Sequence, residues 1–238
     1  MDKTIPHPAA KLLNFIYETE TGKTAPGCYD VIFANRQNRL AKPVTKMTIG
    51  EVLASQKIQR NWAKPASSAT GAPQFMYNTL IGLKKELGLR MGQVFDGNLQ
   101  DRLAYHLLKR RGYLQYMDGS ISRSEFGKRL AMEWASFPVL ENTQGAHRKL
   151  VRGQSYYAGD SLNKSLTSPA TVEKILDSLK FGNFPAEVAV ADEPAPTKKP
   201  TTPGTGAVVV VTFGVVLGTF WEWFSNLPCN VLGIFCGG

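Results

Sequence analysis

Apolar positions over the first 184 residues recur at helical spacing, and most of the stretches that carry them open on a recognisable cap. Pro8 fits the first turn of a segment that sets Leu12, Leu13 and Ile16 on one face. Thr48 and Glu51 form a capping box ahead of Val52, Leu53 and Ile58, and Ser122 with Glu125 repeats the pattern before Phe126, Leu130 and Trp134. Asn78 or Thr79 starts a helix bearing Leu80, Leu83 and Leu87 and stopped by Gly88. Asp96 starts another, bearing Leu99, Leu103 and Leu107 and stopped by Gly112. Ser168-Pro169 opens a last helix with Val172, Ile175, Leu176 and Leu179. The pattern changes only at Tyr29-Asp30-Val31-Ile32-Phe33, a short β-prone run followed by polar residues Asn35 to Arg39, which predicts a hairpin. The fold class expected for residues 1–184 is therefore α+β, a mainly helical domain with a small β-hairpin.

Two segments of different character follow. Residues 185–205 form a Pro-rich linker, in which five prolines after Phe184 forbid a continuous helix and little is available to bury. Residues 206–238 form a hydrophobic tail. Its first part, Gly206 to Phe224, has Glu222 as its one charged residue and ends in the pair Trp221 and Trp223. As a helix it would span about 28 Å, near the ~30 Å of a hydrocarbon core, with the tryptophans at the interface. A C-terminal transmembrane helix is expected here, and Gly214 and Gly218 supply a G-x-x-x-G that suits close helix packing. The N-terminal decapeptide holds Asp2, Lys3 and His7 and lacks the apolar run of a secretory signal.

Composition removes several classes. A hydrophobic share of 43% is too high for a disordered chain. The cysteines Cys28, Cys229 and Cys236 form no C-x-x-C, which argues against a disulfide scaffold or a structural zinc site, and no cofactor is expected. The charge of +9 is uneven: residues 185–238 are slightly acidic, leaving +11 on residues 1–184. A domain this basic seeks a polyanion, whether nucleic acid, an anionic membrane face or the acidic polymers of a bacterial envelope. Lys198 and Lys199 precede the hydrophobic tail and no cation follows it, which leaves the domain on the cytoplasmic or virion-interior side.

Glu18 lies near the end of the first predicted helix, where the negative pole of the dipole and packing near Phe15 and Tyr17 both favour a retained proton. A carboxyl protonated near neutral pH is what glycosidic cleavage asks of its general acid. After Glu18 come Gly27-Cys28-Tyr29-Asp30-Val31-Ile32, then Ala69-Thr70-Gly71-Ala72-Pro73-Gln74-Phe75, then Trp134-Ala135-Ser136-Phe137-Pro138. In that order and at those separations they resemble the bacteriophage lambda endolysin family, a branch of the lysozyme-like superfamily. The run Gly153 to Asp160 is similar to a loop of related phage lysozymes, and the likeness spans about residues 9 to 180.

The resemblance implies that Glu18 gives a proton to the β-1,4 bond between MurNAc and GlcNAc of peptidoglycan and then recovers one as base. In the lambda branch that proton comes from the muramoyl 6-hydroxyl, leaving a 1,6-anhydro end. One carboxyl suffices for this, whereas hydrolysis wants a partner acid, for which Asp30 and Glu20 are the nearest candidates. Another phage lysozyme branch, with Glu, eight residues, Asp or Cys, five residues and Thr, is disfavoured because Gly27 and Phe33 occupy its two positions. By the same resemblance Gln74 is a hydrogen-bonding group near the scissile sugars and Tyr29 a wall of the cleft. Tyr157, with Tyr156, is a candidate to stack on sugar rings. Ala72 and Pro73 depart from the family, which usually has Arg and Tyr there.

The expectation is a phage-type peptidoglycan-degrading enzyme, lytic transglycosylase or muramidase, held at a phage virion membrane or host inner membrane and acting on the cell wall. Its expected partners are peptidoglycan, lipid and other virion proteins, with nucleic acid disfavoured. The alternative is a catalytically weak or inactive membrane-bound virion structural protein that binds wall glycan, and a nucleic-acid-binding membrane protein is a third reading that rests on charge alone.

Overall fold

A computed structural model of the chain describes residues 1–62, 66–160 and 163–181. The linker expected at 185–205 and the tail at 206–238 lie outside the described residues, and among these no helix is long and apolar enough to cross a membrane. The chain divides into two units, Met1–Pro185 and Ala186–Gly238, of which only the first contains described residues.

The first unit contains seven helices among its described residues: α1 (His7–Thr21), α2 (Ile49–Gln59), α3 (Tyr77–Glu86), α4 (Gly97–Arg110), α5 (Tyr113–Met117), α6 (Arg123–Glu133) and α7 (Pro169–Phe181). α2, α4 and α6 start on side-chain caps, while α1 and α5 have none and α3 begins at Tyr77 after Met76, also without a side-chain cap, rather than at the Asn78 or Thr79 that the sequence suggests. The Thr48 hydroxyl accepts the Glu51 N–H while the Glu51 carboxylate accepts the Thr48 N–H at 2.8 Å, a complete capping box. Asp96 accepts from Leu99 N–H at 2.8 Å to begin α4. At α6 only half the box forms. Ser122 caps the Glu125 N–H, but the Glu125 carboxylate turns to Arg129 one helical turn on. α1 ends where Gly22 takes a left-handed conformation, φ 68°, and returns its N–H to the Glu18 carbonyl at 2.8 Å.

The core forms where these helices meet: α1 packs on α4 and α7, α6 on α5 and α7, and α2 on α3. Leu12, Leu13 and Ile16 of α1 are wholly buried with Leu108, Phe126, Leu130 and Leu176. Burial at roughly 25 cal/mol per Å² of apolar surface is the main force holding this arrangement.

The β-structure lies elsewhere than the pattern predicts. Residues 29–39 form no hairpin but successive 3-10 turns, Gly27–Asp30, Phe33–Asn35 and Gln37–Arg39. Cys28 and Tyr29, and again Val31 and Ile32, are buried as neighbours rather than in alternation, and Ala34 and Asn35 have φ of 57° and 54°. The backbone groups of the Val31-Ile32-Phe33 run pair with a distant turn instead. Gly71 N–H reaches Val31 O at 2.8 Å and Phe33 N–H reaches Ala69 O at 3.0 Å. The two-stranded sheet is β1 (Thr143–Gln144) with β2 (Lys149–Leu150), antiparallel and joined across Gly145.

Candidate functional site

The segment that leaves α6 joins the 71–74 turn to the C-terminal end of α1. Trp134 ends the helix in extended backbone and is buried. Its indole N–H donates to the Pro73 carbonyl at 3.2 Å, fastening the 71–74 turn. Two residues on, the Ser136 hydroxyl donates to the Glu20 carboxylate in the last turn of α1. The next residue, Phe137, meets Phe15 of α1 edge to face, ring centroids 5.6 Å apart. One short stretch therefore touches both the turn and the helix end.

Glu20 is half-buried, and burial of its carboxyl pushes the pKa up to about 7, with hydrogen bonding from Ser136 pulling the other way. A carboxyl that shares its proton with water at neutral pH can donate and then accept within one reaction cycle. Its place at the C-terminal end of α1 adds the unfavourable pole of the helix dipole.

The 71–74 turn is built on a buried amide. Gln100 of α4 is fully buried, accepts the Ala72 N–H at 2.9 Å, and donates to the carbonyls of Tyr29 at 3.1 Å and Phe95 at 3.2 Å. Gly71 has φ 78°, and a Cβ there would sit 2.4 Å from the Gln100 oxygen, so only glycine fits. Gln74 itself adopts φ 52°, a strained value for a side-chain-bearing residue, and its amide donates to Gly71 O at 2.7 Å and Val31 O at 3.3 Å. Ala72 is wholly buried beneath this turn.

The residues singled out in the sequence fall in different places. Glu18 is exposed on the outer face of α1. Gln74 sits at the turn beside Pro73 and Trp134, with its amide committed to two carbonyls. Tyr29 is in the interior: its hydroxyl donates to the buried Asp101 at 3.0 Å and its ring meets Tyr17 edge to face. Burial, then the nearby Asp101 charge, holds the Tyr29 phenol well above its ordinary range. Tyr157 is half-buried and donates to the Met132 carbonyl at 2.7 Å, and burial pushes its pKa up to about 12. Asp30, a candidate partner acid, accepts the Thr45 N–H at 2.7 Å within its own loop. Burial pushes the Cys28 thiol up to about 11, which makes it a poor nucleophile.

A mainly helical domain that carries a proton-sharing carboxyl at a helix end, supported by a separate aromatic and hydroxyl segment, has the makings of a general-acid enzyme. Residues 10–159, well over half of the chain, match the family described as Endolysin, and the chain belongs to that family. Membership supports a phage peptidoglycan-degrading function in general terms. No curated protein and no solved structure matches the chain significantly.

Proposed function

We propose that this chain is a lysozyme-like lytic enzyme that cleaves the β-1,4 bond between MurNAc and GlcNAc with Glu20 as general acid and base. The observation that carries the reading is the Glu20 carboxyl, held near pKa 7 by burial and touched by Ser136 of the Trp-Ala-Ser-Phe-Pro segment. Protonated Glu20 gives its proton to the bridging oxygen as the bond from C1 of MurNAc breaks. The resulting carboxylate then takes the proton of the 6-hydroxyl as that oxygen closes on C1, so acid and catalyst are regenerated together. This chemistry needs no second carboxylate, in keeping with the engagement of Asp30 by the Thr45 amide. Glu18 is the second reading, because it stands in register with the other landmarks and lies two residues away on the same helix.

Purified peptidoglycan incubated with the full chain tests this. Glu20→Gln is expected to lower muropeptide release by roughly 10²-fold or more, as loss of a general acid does, while Glu18→Gln stays within severalfold of the parent. The reverse order would move the role to Glu18. A parent that releases nothing would leave a wall-binding virion protein as the better account. Mass spectrometry of the fragments is expected to find 1,6-anhydro ends; reducing ends would make the enzyme a muramidase. The hydrophobic segment 206–224 supports placing this enzyme on a membrane, of the virion or of the host, from which it reaches the wall.

A further inference from the structure

On the face of α6 that leads into Trp134 and Ser136 lies a pocket of about 320 Å³. Arg110 and Arg111 enter it from the end of α4, Lys128 and Arg129 from α6, and Met132 with Tyr156 forms an apolar part of the wall. Glu125 is the one acidic residue lining it. Arg129 is paired with Glu125 at 2.6 Å, Arg111 with Glu133 at 2.7 Å, and Arg110 reaches Glu86 only at 3.5 Å. Lys128 makes no ion pair with the described residues. The pocket therefore has four cations against one acid in its lining, with the surplus centred on Lys128 and with Arg110 held only by the longer contact to Glu86, in a concavity of the size that takes a small ligand.

We infer that this pocket binds the carboxylates of the peptide stems that hang from the glycan, an inference that rests on the peptidoglycan reading above. Three arguments point to this ligand. Glu125 and Glu133 each place one carboxylate oxygen on a guanidinium Nε, of Arg129 and Arg111, at 2.6 and 2.7 Å, so the cations of this wall take carboxylates as partners. Met132 and Tyr156 give apolar contact for the methyl groups of alanine, which a chain of phosphodiesters lacks. The distance also fits. Met132 is four residues before Ser136, a span of at most about 14 Å, and an extended pentapeptide reaches about 17 Å. A glycan strand held at Glu20 thus has its stems within reach of the pocket.

Retention of the full chain on purified wall sacculi tests the inference, read in the Glu20→Gln background so that no substrate is consumed. Three preparations are compared: intact sacculi, sacculi stripped of stems by an amidase, and sacculi stripped of phosphate polymers by acid. Lys128→Glu is expected to weaken retention on intact sacculi by roughly fivefold, the scale of one partly exposed charge contact, and to leave retention on stem-free glycan unchanged. Arg110→Gln is expected to act in the same direction, and circular dichroism checks that both variants fold. Equal losses on stemmed and stem-free walls, no loss on either, or a loss that disappears only when phosphate polymers are removed would overturn it. Muropeptide release by chain with Glu20 intact is scored separately. Release without the stem effect sinks the pocket alone, and the stem effect without release sinks the enzymatic reading alone.

Discussion

Glu18 and Glu20 are two residues apart, and the difference between them is one of helical phase. Leu13, Ile16 and Tyr17 are buried, and Glu20 follows them at i+7, i+4 and i+3; Glu18 follows the exposed Lys11 and Asn14. That periodicity is in the sequence and places Glu20 on the core face and Glu18 on the water face. The dipole argument alone cannot separate them, because both stand in the last turn of α1. What the sequence does not reveal is the hydroxyl from Ser136, which comes from far along the chain. The raised pKa has a thermodynamic consequence. The folded value, about 7, lies above an unfolded value of about 4.3, so protonation of Glu20 favours the folded state. That stability is fully present below about pH 4.3 and is lost as pH rises through about 7. Glu20→Gln is therefore expected to stabilise the domain by about 1–3 kcal/mol at pH 8 and to match the parent near pH 4, measured by urea unfolding at the two pH values. Glu18→Gln should stay within about 0.5 kcal/mol at both.

At the scale of elements, α2, α4, α6 and α7 were legible because each announces itself locally, through a cap at Thr48, Asp96, Ser122 or Ser168 and an apolar stripe behind it, whereas the short α5 begins after Gly112 with no side-chain cap and was not foreseen. The run 29–33 misled because its composition suits a strand, while its hydrogen-bond partners are supplied by a turn some 40 residues later. Long-range pairing of this kind leaves no local trace. The 71–74 turn depends on the fit of Gly71 to Gln100, whose three polar contacts are all buried. Gly71→Ala combines a disfavoured positive φ with displacement of that amide, and is expected to cost about 2–4 kcal/mol. Thermal unfolding checks this, since a loss of that size lowers Tm by roughly 5–15 °C in a domain of this length. The sequence signal for the turn, a glycine followed three residues later by Gln74, was readable; the Gln100 anchor beneath it was not.

For the whole molecule, charge and hydropathy are separated along the chain: the basic, cap-rich part precedes Pro185 and the apolar tail follows it. The first unit has its own core, so a fragment of residues 1–184 is expected to melt cooperatively and stay in solution when mixed with lipid vesicles. The full chain is expected to float with the vesicles in a density gradient, and failure to do so would remove the membrane from the proposal. Within that first unit, the spacing of Trp134 and Ser136 carries a consequence for how the gene can vary. The two contacts lie two residues apart in a turn closed by Phe137 N–H on the Trp134 carbonyl at 3.0 Å, one gripping the Pro73 carbonyl and the other Glu20. Exchange of Ala135 for another small residue preserves both grips. Insertion or deletion of a single codon there preserves only one, so position 135 is free to drift in letter while the stretch is fixed in length.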